Sequence, residues 1–161
     1  MPIKVGDRLP DVTFVKMTDK GPAPATTGEV FTGKKVVLFG VPGAFTPTCH
    51  KNHLPGYLTN VDALKAKGIS EIAVTAVNDP FVMKAWSEAT GAADKITFLS
   101  DGSAIFAKAT GLELDMSARG LGIRNQRFSM LVDDGVVKVL NIEETPGTAD
   151  KTGADAMLKQ L

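Results

Sequence analysis

The chain has 161 residues, 43% hydrophobic and 22% charged, with 18 lysines and arginines against 18 aspartates and glutamates. A formal net charge of zero argues against a nucleic-acid binder, which needs a basic excess to neutralise phosphates, and against a polybasic membrane-surface protein. A single domain spanning 1–161 is expected, because a chain this long buries roughly 70% of its unfolded surface and needs neither disulfide nor metal to fold.

In chain order, "MPIKVGDRLP" has no apolar stretch of the secretory kind. "KGPAPATTGE", Lys20 to Glu29, reads as a loop or a turn between short strands. "KKVVLFGVP" is a continuous apolar run, too short to cross a bilayer and rich in valine, hence a strand buried on both faces. From Thr46 to Lys67 a helix is predicted, with Thr46 as N-cap, Pro47 in the first position, and Leu54, Leu58, Val61 and Leu64 at helical spacing. Pro55 falls inside it and should kink the axis. "EIAVTAV" is a strand and "NDPFVMKAWSEATG" a helix, capped by Asp79, opened by Pro80 and stopped by Gly91. "KITFLSD" and "SAIFAKATG" repeat the strand–helix pattern. In "RFSMLVDDGVVKVLNIE" two apolar runs flank "DDG", the signature of an antiparallel hairpin, and "GTADKTGADAMLKQL" closes the chain as a helix. This alternation predicts an α/β fold, a central mixed sheet flanked by helices. A thioredoxin-like fold has this order, and the pattern also allows a flavodoxin-like sheet.

Cys49 is the only cysteine. It cannot form an internal disulfide, so a reducing compartment, the cytoplasm, is expected, or an organelle if a targeting peptide has been removed. It follows a buried strand and the turn "VPGAFTPT", and falls in the first turn of a helix. Such turns at the carboxyl ends of parallel strands are where open α/β sheets keep their sites. Free N–H groups and the positive end of the helix dipole stabilise a thiolate there, and cysteines so placed titrate at roughly 3.5–7.5 rather than ~8.5. The prolines limit the freedom of the turn and help hold a reactive geometry. The other reading of these residues is a small buried hydrophobe, as many free cysteines are.

"PGAFTPTC" contains Pro42, Thr46 and Cys49 in the spacing P-x-x-x-T-x-x-C, which resembles the peroxidatic motif of peroxiredoxins. "HLPGY", "VNDPFVMKAW", "FLSDGSAIFAKATGLELD", "RFSMLVDDG" and "VKVLNIEE" extend the resemblance over nearly the whole chain. They point to the subfamily that includes mammalian peroxiredoxin-5 and the plant type II enzymes. The resemblance implies that Cys49 attacks the peroxide O–O bond and becomes a sulfenic acid. It implies that Thr46 offers its hydroxyl to the thiolate or to a peroxide oxygen, and that Pro42 shields the pocket from water. Arg127, in "NQRFSMLV", would hold the thiolate and stabilise the departing oxygen. The substrates implied are hydrogen peroxide and organic hydroperoxides. Two departures matter. Plant members carry a second cysteine where Val74 stands, and the mammalian relative carries one near the C-terminal helix; this chain has neither. The expected cycle therefore uses one cysteine and an outside thiol: glutathione, glutaredoxin or thioredoxin. His50 stands where serine is frequent, and is expected to point to solvent. A homodimer with Phe45 near the contact is also implied.

Other constellations are weaker. Cys49 and His53, four apart with His50 nearby, suggest zinc or a thiol-hydrolase dyad. Zinc needs further ligands, however, and cysteine proteases draw their histidine from far along the chain; His53 belongs to the resembling "HLPGY" block, and a packing or hydrogen-bonding role is expected for it. No metal and no cofactor are expected. "GLGIRN" begins like a dinucleotide fingerprint, lacks the third glycine and reads as a loop, with Arg119 and Arg124 solvated. Glu143 and Glu144 point to opposite faces of a strand end, a poor acid–base pair. Met83 and Trp86 read as core. A thiol peroxidase is the leading functional reading. A non-catalytic redox sensor or interaction module is the alternative, and a thiol hydrolase or isomerase comes third.

Overall fold

The computed structural model describes residues 2–145 and 147–161. Its centre is a seven-stranded mixed sheet. The run "KVVLFG" forms β3 (Lys35–Gly40), parallel to β4 (Glu71–Ala76), which is in turn parallel to β5 (Thr97–Ser100). The hairpin read from "DDG" is β8 (Phe128–Asp133) and β9 (Val136–Ile142), and β8 lies antiparallel on β3. Asp134 and Gly135 both take positive φ, 49° and 81°, the turn that matches the twist of a two-residue hairpin.

The far edge departs from expectation. Residues read as a loop form β2 (Gly21–Thr26), paired with β1 (Thr13–Thr18), and lead through a capping box at Thr26 and Glu29 into α1 (Thr27–Phe31). Pro22 and Pro24 are two apart, so their missing N–H groups face the same way. An edge strand accepts this because its outer side has no partner. The strand order is β2-β1-β5-β4-β3-β8-β9.

Each central strand feeds two cores. In β3, Val37 and Phe39 face one layer, built by α2 (Leu54–Thr59), α3 (Val61–Ala66), α4 (Pro80–Thr90) and α6 (Ala154–Gln160). Val36 and Leu38 face the other, with Phe14, Phe31, Phe106 from α5 (Ile105–Thr110) and Phe128. This two-sided burial is why the strand reads as an unbroken apolar run. Gly40 is needed for space: a Cβ there would lie 2.1 Å from the Phe128 ring across the β3–β8 register. In α4, Asp79 accepts from Val82 N–H at 2.9 Å and Gly91 ends the helix in the left-handed region, as the sequence indicates.

Two further expectations change. The segment from Pro47 to Ala66 is helical, but not as one helix kinked at Pro55. It opens with a π turn, Cys49–His53, in which Leu54 N–H reaches the Cys49 carbonyl five residues back. It breaks again at Asn60, between α2 and α3. Pro55 has no N–H to donate and its ring crowds the preceding turn; the wider turn just upstream absorbs that conflict. "GLGIRN" is not wholly loop: its second half starts β7 (Ile123–Asn125), which pairs with β6 (Glu113–Asp115) in a separate hairpin. Among the described residues no helix is long and apolar enough to cross a membrane.

Candidate active site

The parallel strands β3, β4 and β5 end on one edge of the sheet, and Cys49 lies there, wholly buried. The loop from β3 to Cys49 is fastened at nearly every residue. Val41 N–H donates to the Thr75 carbonyl at 3.1 Å, and Ala44 N–H to Asn78 Oδ1 at 2.9 Å. Arg124 Nη1 donates to the Pro42 carbonyl at 3.3 Å, and Thr46 Oγ1 to the Gly43 carbonyl at 2.7 Å. His50 N–H returns to the Thr46 carbonyl at 2.8 Å. Phe45 takes φ 63°, a left-handed conformation costly for a bulky residue, and its ring stacks on His50 with centroids 5.5 Å apart. Pro42 is buried in this loop beside the cysteine turn.

Arg127 reaches the same point from 78 residues away. The antiparallel register sets Phe128 opposite Gly40, so the start of β8 lies beside the end of β3. Arg127, one residue earlier, is buried, and its Nη2 donates to Cys49 Sγ at 3.0 Å. A buried guanidinium stays charged, and an anion beside it offsets part of its lost hydration. The arrangement therefore sets a permanent positive charge against the sulfur.

Pro42, Thr46, Cys49 and Arg127 thus share one region, with two adjustments. The Thr46 hydroxyl proton is already given to the Gly43 carbonyl, so toward a ligand Thr46 presents an oxygen lone pair. Arg124 is half-buried rather than fully solvated: besides Pro42 it donates through Nε to the Leu121 carbonyl at 2.7 Å. Arg119 is exposed, as expected.

Neither histidine behaves as a simple surface group. His50 is half-buried and its Nδ1 accepts from Trp86 Nε1 at 3.1 Å, which corrects the expectation that it points to solvent. His53 is buried, with Nδ1 2.9 Å from Arg127 Nη1 and Nε2 3.0 Å from the Thr152 carbonyl. With both ring nitrogens engaged, it is free neither to ligate zinc nor to act as a hydrolase base, and Arg127 stands between it and the sulfur. Burial, with the Arg127 charge as a second cause, pushes His53 down to about 3, so it is neutral. Thr152 is held in turn: its carbonyl also accepts from Tyr57 Oη at 2.8 Å, and its N–H donates to buried Glu143 at 3.0 Å. Glu144 is exposed and pairs with Lys151. His53 has the packing and hydrogen-bonding role expected of it, while the roles of Tyr57, Glu143 and Thr152 are not legible in the sequence. Only the "HLPGY" block pointed toward them, and it gave no partner.

The Redoxin family model matches residues 4–158. Peroxiredoxin-2C of Oryza sativa subsp. japonica is 49% identical over 99% of both chains, and Peroxiredoxin-2B of Arabidopsis thaliana 45% identical over the same shares. Among solved structures, reduced Prx3 from Vibrio vulnificus in complex with hydrogen peroxide superposes with a TM-score of 0.93 at 49% identity, covering 98% of each chain. Peroxiredoxin 5 from Alvinella pompejana does so with a TM-score of 0.86 at 39% identity, covering 98% of this chain and 97% of that one. The thioredoxin-like architecture, the Cys49–Arg127 pair and these full-length likenesses agree, and the chain belongs to the Redoxin family as a peroxiredoxin, a thiol peroxidase of the plant type II kind.

Proposed function

We propose that this chain reduces hydrogen peroxide and organic hydroperoxides at Cys49 and is regenerated by an external thiol: glutathione with glutaredoxin, or thioredoxin. The observation that supports this most is the 3.0 Å contact of Arg127 Nη2 with a buried Cys49 Sγ. In the first step the thiolate attacks one peroxide oxygen and the O–O bond breaks. The sulfur is oxidised to a sulfenic acid, and the other oxygen leaves as hydroxide or alkoxide and takes a proton. Arg127 stabilises the charge as it moves from sulfur to the leaving oxygen. Thr46 Oγ1, its proton given to Gly43, accepts from the peroxide O–H and orients it. Pro42 limits water at the sulfur. One reductant thiol then displaces the sulfenic oxygen as water and forms a mixed disulfide, and a second thiol releases Cys49 and leaves a reductant disulfide. Val74 is wholly buried in β4 and Cys49 is the only cysteine, so the second sulfur comes from outside the chain. Such a cycle suits a thiol-reducing compartment, the cytoplasm or a reducing organelle.

The test is stoichiometric peroxide followed by mass spectrometry of Cys49, then turnover with each reductant. One added oxygen at Cys49 and catalytic consumption with glutaredoxin or thioredoxin support the reading. Oxidation without turnover would instead mark a redox sensor. Arg127→Met should slow the first step about 10²-fold or more by stopped flow.

A further inference from the structure

The Arg127 guanidinium presents Nη2 to Cys49 Sγ at 3.0 Å and Nη1 to His53 Nδ1 at 2.9 Å. A guanidinium only donates, so Nδ1 must be the unprotonated nitrogen of the ring. The proton then sits on Nε2, where it is given to the Thr152 carbonyl at 3.0 Å. That carbonyl is itself fixed, by Tyr57 Oη at 2.8 Å and by the grip of Glu143 on Thr152 N–H and Oγ1 at 3.0 and 3.3 Å. The ring is also packed against Phe39 and Tyr57, with centroids 4.8 and 5.6 Å away. One tautomer in one orientation is therefore specified from both sides.

We propose that His53 is a positioning residue for the peroxide reaction. As a neutral acceptor locked in its Nε2–H form by Thr152, it aims the Arg127 guanidinium at Cys49 Sγ without itself neutralising the guanidinium's charge. A carboxylate at the same place would aim the guanidinium too, but would compete with the thiolate for its charge. This inference rests on the reading of Cys49 as the peroxide-reactive sulfur.

Two substitutions separate the two halves of the ring. Asn places an acceptor near the Nδ1 position, and Gln a donor near the Nε2 position. In His53→Gln the thiolate absorbance of Cys49 at neutral pH should fall, and the second-order rate of Cys49 oxidation should drop roughly tenfold or more. His53→Asn should restore that rate to within a few-fold of the parent. If both variants lose stability alike and neither changes the thiolate absorbance, His53 is only scaffold and the proposal is overturned. Should the variants fail to fold, imidazole nitrogen NMR of the unaltered protein decides. A neutral ring with the proton on Nε2 at pH 5 is expected, and a proton on Nδ1, or an imidazolium at that pH, overturns the proposal. An unaltered Cys49 that ignores peroxide would sink the peroxidase reading, while leaving the NMR result standing on its own.

Discussion

A guanidinium carries five N–H donors, and burying one obliges the fold to supply acceptors for them. Here a sulfur and a neutral imidazole take two of them, and the imidazole's neutrality has a price in acid. His53 titrates near 6.5 when unfolded and near 3 when folded, so the unfolded chain binds its proton first as pH falls. The folded value is the depressed one. The stability His53 permits is therefore complete above its unfolded value and is lost progressively as pH drops toward the folded one. Between pH 8 and pH 5 this should remove roughly 2 kcal/mol from the unaltered protein. His53→Asn has no such proton to bind, so urea titrations should show its stability deficit shrinking by about that amount over the same interval. A deficit independent of pH would mean that His53 charges within the fold. The same residue shows where sequence reading stops. Cys49, Thr46 and Pro42 sit on one short stretch with recognisable turn chemistry, whereas the Arg127–His53–Thr152 chain joins three distant segments. No local pattern carries the register that brings them together.

Among the elements, legibility follows how strongly local chemistry and burial agree. β3, β4 and the hairpin β8–β9 are apolar runs bounded by turn residues, and α4 has both its caps written in the chain. β2 was hidden because edge position, not composition, makes "GPAPAT" tolerable as a strand. The π turn at Cys49 was hidden because Pro55 announces a conflict but not where the backbone will absorb it. The pairing of β3 with β8 is the element-level feature on which the site depends, and Gly40 guards it. Gly40→Ala would force a methyl into the Phe128 ring, which is wholly buried and has no room to swing aside. Overpacking of this kind costs about 1–3 kcal/mol, and here it would also displace the strand start that carries Arg127. Denaturant titration should show the lost stability, and stopped flow a slower Cys49 oxidation. Adding Phe128→Leu should recover part of both. A variant with parental stability would show that β3 and β8 separate more freely than their register implies.

At the scale of the whole molecule, the edge that holds Cys49 is also the edge with unspent apolar surface. Phe45, Phe81 and Ile105 follow β3, β4 and β5 respectively and remain 48%, 66% and 52% exposed. Parallel strands deliver their loops to a common side, so these three side chains all lie at that edge of the sheet. We propose that this surface meets its copy in a homodimer. The contact would then bear on catalysis, since Phe45 is in a left-handed conformation and stacks on His50, the neighbour of Cys49. Covering Phe45 would hold that turn from outside, as Asn78 and Arg124 hold the loop from within. Light scattering at micromolar concentration should therefore give a two-chain mass. Phe81→Asp changes an exposed residue at the start of α4 and should shift the protein to one chain while also slowing Cys49 oxidation by a few-fold. A one-chain mass for the unaltered protein removes the dimer. A monomeric Phe81→Asp that oxidises at the parental rate would keep the dimer but free the reactive turn from any dependence on it.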